Sequence, residues 1–364
     1  MQKNFKRFYL KKKILITGHT GFKGSWMTAV LLKNKAKIVG ISKDIPSKPS
    51  LYKTLNLNKK IKDYRFDLSN FKKFNKILNI EKPDIIFHLA AQAIVSKSYQ
   101  DPRTTWNSNL LSTLNLLEIL RKQKNKCLVV IITSDKCYLN IEKKTGYKES
   151  DQLGGSDHYS ASKASTEILF NSYYKSNLSK KSNLKIVTCR AGNVIGGGDW
   201  GVDRLIPDCV IKWSKNEIIK IRNPYSTRPW QHVLEAIYGY LSLGMKLKEN
   251  KKLNGLSFNF GPSVRRSKPV KNILSEFKKN WKKIRWKYEK TFSFRETSSL
   301  RLNSNLAKKL LNWRCILSFS EMINLVSNWY LAYYTKKVDL NDLTNKQINQ
   351  FEKKFFKKLN SYKK

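Results

Sequence analysis

A chain of 364 residues with 40% apolar content can enclose one large or two medium cores, which excludes a disordered or fibrous class. Lys and Arg number 72 against 26 Asp and Glu, a formal charge of +46, yet the lysines are spread along the whole chain among Asn and Ile. Spread rather than clustered, they argue for a compositional bias that favours phosphorylated small molecules and against a specific nucleic-acid partner.

The five cysteines, Cys127, Cys137, Cys189, Cys209 and Cys315, contain no CxxC pair. Neither a disulfide framework nor a metal site is expected, and a reducing compartment is. Met1 to Lys13 is basic but is not followed by an apolar stretch with a cleavage site, and no run is long enough to span a bilayer. The expectation is a soluble, cytoplasmic protein with no membrane partner.

In chain order, a basic lead-in over 1–12 precedes Ile14 to Thr17, a short apolar strand. Gly18-His-Thr-Gly21-Phe-Lys-Gly24 follows, and Ser25 to Lys33 reads as a helix. Strand, glycine turn and helix form the context of a phosphate-binding fingerprint. The first glycine permits the turn, the second lets backbone approach a pyrophosphate, and the third lets helix pack on strand. Alternation continues with strands at Ile38 to Ile41, Tyr64 to Phe66 and Ile85 to Leu89, and a helix over Asn70 to Ile80. Ala90-Ala91-Gln92 then offers small residues where backbone could approach a ligand. Thr104 to Lys122 reads as a long amphipathic helix facing inward with Trp106, Leu110, Leu114 and Leu117.

The apolar run Cys127 to Ile132 ends abruptly in Thr133-Ser134-Asp135-Lys136, a hydroxyl, a carboxylate and an amine at the carboxyl end of a strand. In parallel sheets, ligands sit beyond such ends. Tyr159 to Tyr174 is helical, so Tyr159 and Lys163 share one face. A nearby ammonium favours ionised phenol, which would make Tyr159 a base near neutral pH. Strands follow at Ile186 to Cys189 and Ser257 to Phe260, with a helix over Val233 to Lys246 between them. The expected architecture is α/β: a Rossmann-type doubly wound parallel sheet with a smaller interleaved α/β substrate-binding domain. The sheet domain is placed at 13–190 with 230–262 returning to it, the substrate lobe at 191–229 and 263–336, and a Lys-rich tail at 337–364.

Ser134, Tyr159 and Lys163, following a glycine fingerprint, resemble the catalytic set of the extended short-chain dehydrogenase/reductase superfamily. Within it, Thr-Ser-Asp-Lys-Cys-Tyr is similar to the CDP-glucose 4,6-dehydratase family, where Lys136 stands in place of the Glu of dTDP-glucose enzymes. Four further stretches resemble that family: Thr17–Trp26, His88–Gln92 with Ser98-Tyr99, Ala191–Asp208 and Arg228–Glu235. The resemblance spans residues 13 to 335. It implies an internal redox cycle on a nucleotide sugar, used in deoxysugar and surface polysaccharide synthesis. Tyr159 takes the 4-hydroxyl proton while hydride passes from C4 to NAD, Lys136 removes the C5 proton, Asp135 protonates the departing 6-hydroxyl, and hydride returns to C6.

By the same resemblance, Gly18, Gly21, Phe22 and Gly24 hold the cofactor, as do Asp67, Leu68, Leu89, Ala90 and Ala91, with Tyr159 and Lys163 at the nicotinamide end. Gln92, Ser134, Asn193, Arg204 and Arg228 hold the substrate, and a homodimer is implied through the Thr104 and Tyr159 helices. Some positions depart from the family. Ser42-Lys43-Asp44 puts no carboxylate directly at the second strand end, so Lys43 could accept the 2′-phosphate of NADP. Ser112 replaces a usual Gly, and Arg295-Glu296 and Asn303 replace His-Glu and Asp. Three alternatives stay open: a 4,6-dehydratase for a dTDP-, GDP- or UDP-sugar, a 4-epimerase, and a non-catalytic dinucleotide- or RNA-binding protein.

Overall fold

The computed structural model describes residues 1–263, 266–281, 284–289 and 300–361. Seven strands form one sheet: β1 (Lys13–Thr17), β2 (Lys37–Ser42), β3 (Lys62–Arg65), β4 (Ile85–His88), β5 (Cys127–Ile132), β6 (Leu184–Ala191) and β7 (Ser257–Phe260). Their order is β7-β6-β5-β4-β1-β2-β3, and every pairing is parallel. Because β1 lies between β2 and β4, the chain direction across the sheet reverses there, and a crevice opens at the carboxyl ends. Runs such as Ile-Leu-Ile and Val-Val-Ile-Ile are buried on both faces, as a parallel sheet covered by helices demands.

One face carries helices Phe22–Lys33 and Val233–Glu249, the second apolar nearly all round and almost wholly buried. The opposite face packs Phe74, Leu78, Leu116, Leu120 and Phe170. Beyond the sheet the described residues make three two-stranded pairs: Val194–Ile195 with Gln231–His232, Thr227–Arg228 with Lys268–Pro269, and Ile219–Ile221 with Trp286–Tyr288. These stand over the carboxyl end of the sheet.

Both termini are structured, and one expectation needs correction. The N-terminal lead-in is a helix, Gln2–Tyr9, whose Phe5 and Tyr9 are fully buried, with the Tyr9 hydroxyl on Leu241 O at 2.6 Å. The Lys-rich tail is a docked helix, as its apolar spacing at Ile348, Phe351 and Phe355 leads one to expect. Helix Leu340–Ser361 sinks Ile348, Phe351, Phe355 and Phe356 against Tyr238 and Phe5, with lysines on its outer face. The long helix around residue 110 is interrupted by a π-turn at Asn107–Leu111. Of the residues expected inside, Leu117 is fully buried beside Leu116 and Leu120, whereas Trp106, Leu110 and Leu114 are only partly buried, and around the π-turn the inward positions are Thr105, Asn109, Ser112, Thr113 and Asn115. Polar groups face inward because they serve the crevice, for example Asn109 Nδ2 donating to Ser162 Oγ at 2.8 Å.

Candidate active site

Every site residue expected from the sequence lines one cleft of about 1370 Å³ at the carboxyl end of the sheet. At its cofactor end the glycine turn is tight. Gly18 has φ +72°, and a Cβ there would meet Ala90 N at 2.8 Å, so β1 and β4 close on each other through bare backbone. A Cβ on Gly24 would lie 2.2 Å from Gly18 O, which fixes the helix against the turn. A Cβ on Gly21 would meet only Gly18 O, at 3.4 Å. Gly21 is also the N-cap of helix Phe22–Lys33 and offers no side-chain cap, leaving the helix N-terminus to an outside acceptor. These features fit a dinucleotide pyrophosphate.

Asp67 and Leu68 follow β3. Asp67 accepts from Ser69 N at 2.9 Å and pairs with Lys43 at 3.0 Å. Burial works against its charge, but those partners hold its carboxyl below the usual value. Leu68 is fixed by Asn115, which donates to its carbonyl at 2.8 Å. Leu89, Ala90 and Ala91 continue from β4, with Ala90 N donating to Thr17 Oγ1 at 3.1 Å. Gln92 lines the cleft but its amide is taken up by its own loop and the helix Pro102–Trp106, bonding Ile94 O at 2.9 Å and Thr105 Oγ1 at 3.0 Å. It shapes that loop rather than presenting a free amide.

At the centre, Ser134 caps the short turn Asp135–Cys137, accepting from Lys136 N at 3.2 Å, and donates to Asp135 Oδ1 at 3.0 Å. Asp135 is buried against Gly192, where a Cβ would meet Asp135 Oδ2 at 2.6 Å. Burial raises its carboxyl pKa, opposed by Lys136 and Ser134. Lys136 is half-buried at the cleft wall. Across from it, helix His158–Tyr173 starts at Asp157, which accepts from Ser160 N at 2.8 Å, and presents Tyr159 and Lys163.

The surroundings of the phenol set its acidity. Burial pushes Tyr159 up to about 12, against a hydrogen bond from Ser134. Lys163 Nζ lies 6.0 Å from the phenol ring centroid, and burial, then Lys23, lowers Lys163 to about 8.

Asn193, Arg204 and Arg228 form the opposite wall. Asn193 O accepts from Gln231 N at 3.1 Å, and Arg204 is held by Asp199 at 2.8 Å. Arg228 lies in the pair with Lys268–Pro269, its Nη1 on Thr227 O at 3.1 Å. The substitution at Ser112 is accommodated within its helix, where the hydroxyl donates to Ser108 O at 2.6 Å. Asn303 caps Asn305 N at 3.0 Å, whereas Arg295-Glu296 lies outside the described residues. One cleft residue was missed by sequence reasoning. Lys23, between the second and third glycines, reaches toward Asp135, and burial brings its ammonium down to about 8. Its only signal was a cation inside an otherwise small and apolar fingerprint.

A doubly wound sheet that gathers Ser, Tyr and Lys around a dinucleotide cradle defines the short-chain dehydrogenase/reductase class. Within that class, the chain belongs to the GDP-mannose 4,6 dehydratase family, matching it over residues 15–326. It is 37% identical over 333 residues to the CDP-glucose 4,6-dehydratase of Salmonella typhimurium, covering 90% of this chain and 93% of that one. It is 31% identical over 213 residues to a dTDP-D-glucose 4,6-dehydratase of Dictyostelium discoideum, covering 54% of this chain and 46% of that one. Among solved structures it shares its fold with epimerase Mth375 of Methanothermobacter thermautotrophicus, with TM-score 0.78, 20% identity and coverage of 92% and 97%. The dTDP-glucose 4,6-dehydratase of Bacillus anthracis in complex with NAD aligns with TM-score 0.73, 19% identity and coverage of 88% and 96%.

Proposed function

We propose that the protein is a CDP-glucose 4,6-dehydratase, a hydro-lyase that converts CDP-glucose to CDP-4-keto-6-deoxyglucose for deoxysugar and surface polysaccharide synthesis. One observation carries the reading: a buried acid, Asp135, and the lysine next to it, Lys136, stand beside Ser134 and Tyr159 in one cleft. An epimerase needs only oxidation and its reversal, whereas an acid poised to protonate a leaving hydroxyl belongs to elimination. The Salmonella relative supports CDP-glucose among the possible sugars.

NAD, held by the glycine turn, Asp67 and the Leu89–Ala91 backbone, supplies a reversible hydride acceptor. Pairing of Lys43 with Asp67 supports NAD over NADP, because a 2′-phosphate would meet a carboxylate beside its cation. Tyr159 takes the 4-hydroxyl proton, with Ser134 bonded to the same oxygen and Lys163 holding the adjoining ribose. Lys136 removes the C5 proton and Asp135 delivers one to the departing 6-hydroxyl. Arg228 and Arg204 face the diphosphate, for which a planar guanidinium is suited, and Asn193 orients the sugar.

In this reading, 13–190 with 230–262 is the cofactor domain, and 191–229 with 263–336 is the substrate lobe. Half-exposed Trp106, Leu110 and Leu114, with exposed Ile168, offer the face of a homodimer, which light scattering tests. Among the described residues no helix is long and apolar enough to cross a membrane. The five free cysteines support a cytoplasmic setting.

Incubation with CDP-glucose and NAD should yield the alkali-induced absorbance of a 4-keto-6-deoxy sugar. Signal only with dTDP-, GDP- or UDP-glucose would overturn the base assignment, and turnover of none would overturn the dehydratase reading.

A further inference from the structure

Behind the cleft lies a buried ion pair that none of the roles above uses. Glu167 is fully buried one turn beyond Lys163 on the Tyr159 helix, and Arg190, 2% exposed, is on β6. Arg190 Nη2 donates to Glu167 Oε2 at 2.7 Å. Neither residue lines the cleft. The same carboxylate accepts from Thr133 Oγ1 at its other oxygen, and from Thr188 Oγ1 at 2.9 Å and Ser257 Oγ at 3.0 Å. Arg190 Nη1 donates to the Tyr138 hydroxyl at 2.7 Å and to Glu149 O at 3.0 Å.

Thr133 precedes the turn that carries Ser134, Asp135 and Lys136, and Tyr138 follows it. We infer that the Glu167–Arg190 pair is the positioning device of the active site, fastening both ends of this segment to the helix that carries Tyr159. The inference rests on the dehydratase reading, since only that chemistry needs Asp135 and Lys136 fixed relative to Tyr159.

Three physical points support it. A buried ion pair contributes little net stability compared with apolar packing, so its retention is better explained by geometric specification. Arg190 Nε is buried with no hydrogen-bond partner among the described residues, so the guanidinium is placed for its two terminal nitrogens at some cost. Burial opposes the charge of Glu167, but Arg190 and the hydroxyls hold its pKa below the ordinary value, so the pair stays charged at working pH. The brace also extends outward. Tyr138 OH donates to Asn259 Oδ1 at 2.8 Å, and Asn259 Nδ2 donates to Tyr147 O at 2.8 Å and Asn303 O at 3.2 Å.

The test uses the full chain with CDP-glucose and NAD, comparing wild type with Glu167→Gln, Thr133→Val and Tyr138→Phe. The last two each remove one anchor while keeping its shape, so they report even where Glu167→Gln fails to fold. Misplacement of reacting groups by about 1 Å costs on the order of 100-fold in rate. Expected is a kcat loss of that order for Glu167→Gln and about tenfold for each single-anchor variant, with KM changed less than about threefold. Reduced nicotinamide should also accumulate during a single turnover. Tyr159 keeps its helix, so oxidation, slowed through Ser134, still outruns the elimination that needs both Asp135 and Lys136 at their fixed distance from it. Wild-type kcat in both single-anchor variants would overturn the inference. So would losses that follow only the folded fraction, without accumulation of reduced cofactor. A wild type that turns over no sugar nucleotide would overturn the dehydratase reading and, with it, this inference.

Discussion

The two walls of the cleft are built differently. The sheet wall, from Thr133 to Lys136 and on helix His158–Tyr173, is fixed by buried polar bonds that leave each acid and base group little freedom. The opposite wall, Gly196 to Arg228, is held by aromatic packing and strands of two or three residues. There Trp200 lies 4.7 Å from Tyr333 and 5.7 Å from Trp329, centroid to centroid, and Tyr330 OH donates to Asp199 O at 2.6 Å. Directional bonds suit chemistry, which tolerates little displacement. Non-directional packing suits recognition, where a wall can adapt to a sugar nucleotide.

The comparison breaks if damage to either wall gives the same kinetic signature. The largest expected effect is on the sheet wall: Tyr159→Phe should lower kcat about a thousandfold or more, measured as 4-keto sugar formed. Next, Lys136→Met should spare C4 oxidation, seen as reduced nicotinamide in a single turnover, and slow product formation by about 100-fold. Normal product formation would assign the C5 base to another group. On the opposite wall, a Cβ at Gly197 would meet Trp329 Cγ at 2.1 Å. Gly197→Ala should therefore shift that loop, raise KM about tenfold with kcat changed little, and cost about 1–3 kcal/mol of stability in urea.

The smallest effect is one of stability alone and lies beneath both walls. Glu235 is buried, accepts from the backbone N–H of Ile316 and Leu317 at 2.8 Å each, and is raised by burial to about 7. The folded state thus holds a proton that the unfolded state releases between about pH 4.5 and 7, so this group makes stability fall as pH rises through that window. Glu235→Gln should flatten that fall and gain up to a few kcal/mol at pH 8 relative to pH 5, read by denaturant unfolding. Parallel pH curves for wild type and variant would place the carboxyl in contact with solvent.

Much of the fold was legible because its signals are local. Apolar runs, a glycine triplet and a Tyr-xxx-Lys spacing mark β1, the cofactor turn and the Tyr159 helix without knowledge of distant residues. The family resemblance then drew Asn193, Arg204 and Arg228 to the same cleft. Legibility failed where a residue's meaning depends on what packs beside it. Phe5 looks like an isolated apolar residue in a basic terminus until Tyr238 joins it. The inward face of the Asn109 helix is polar because it meets Gln92, His88 and Ser162. Apolar periodicity could not foresee that.

The sequence by itself determined the alternation of strands and helices and the cofactor turn, because each follows from residue type and short spacing, and the family resemblance proposed the acid and base groups. Tertiary structure alone decided their states. Burial raises Asp135 and Tyr159 and lowers Lys163 and Lys23, and burial is a property of the assembled protein. It alone also joined Thr133, Tyr138, Glu167 and Arg190, residues up to 57 positions apart in the chain, because a parallel sheet brings distant strand ends to one edge.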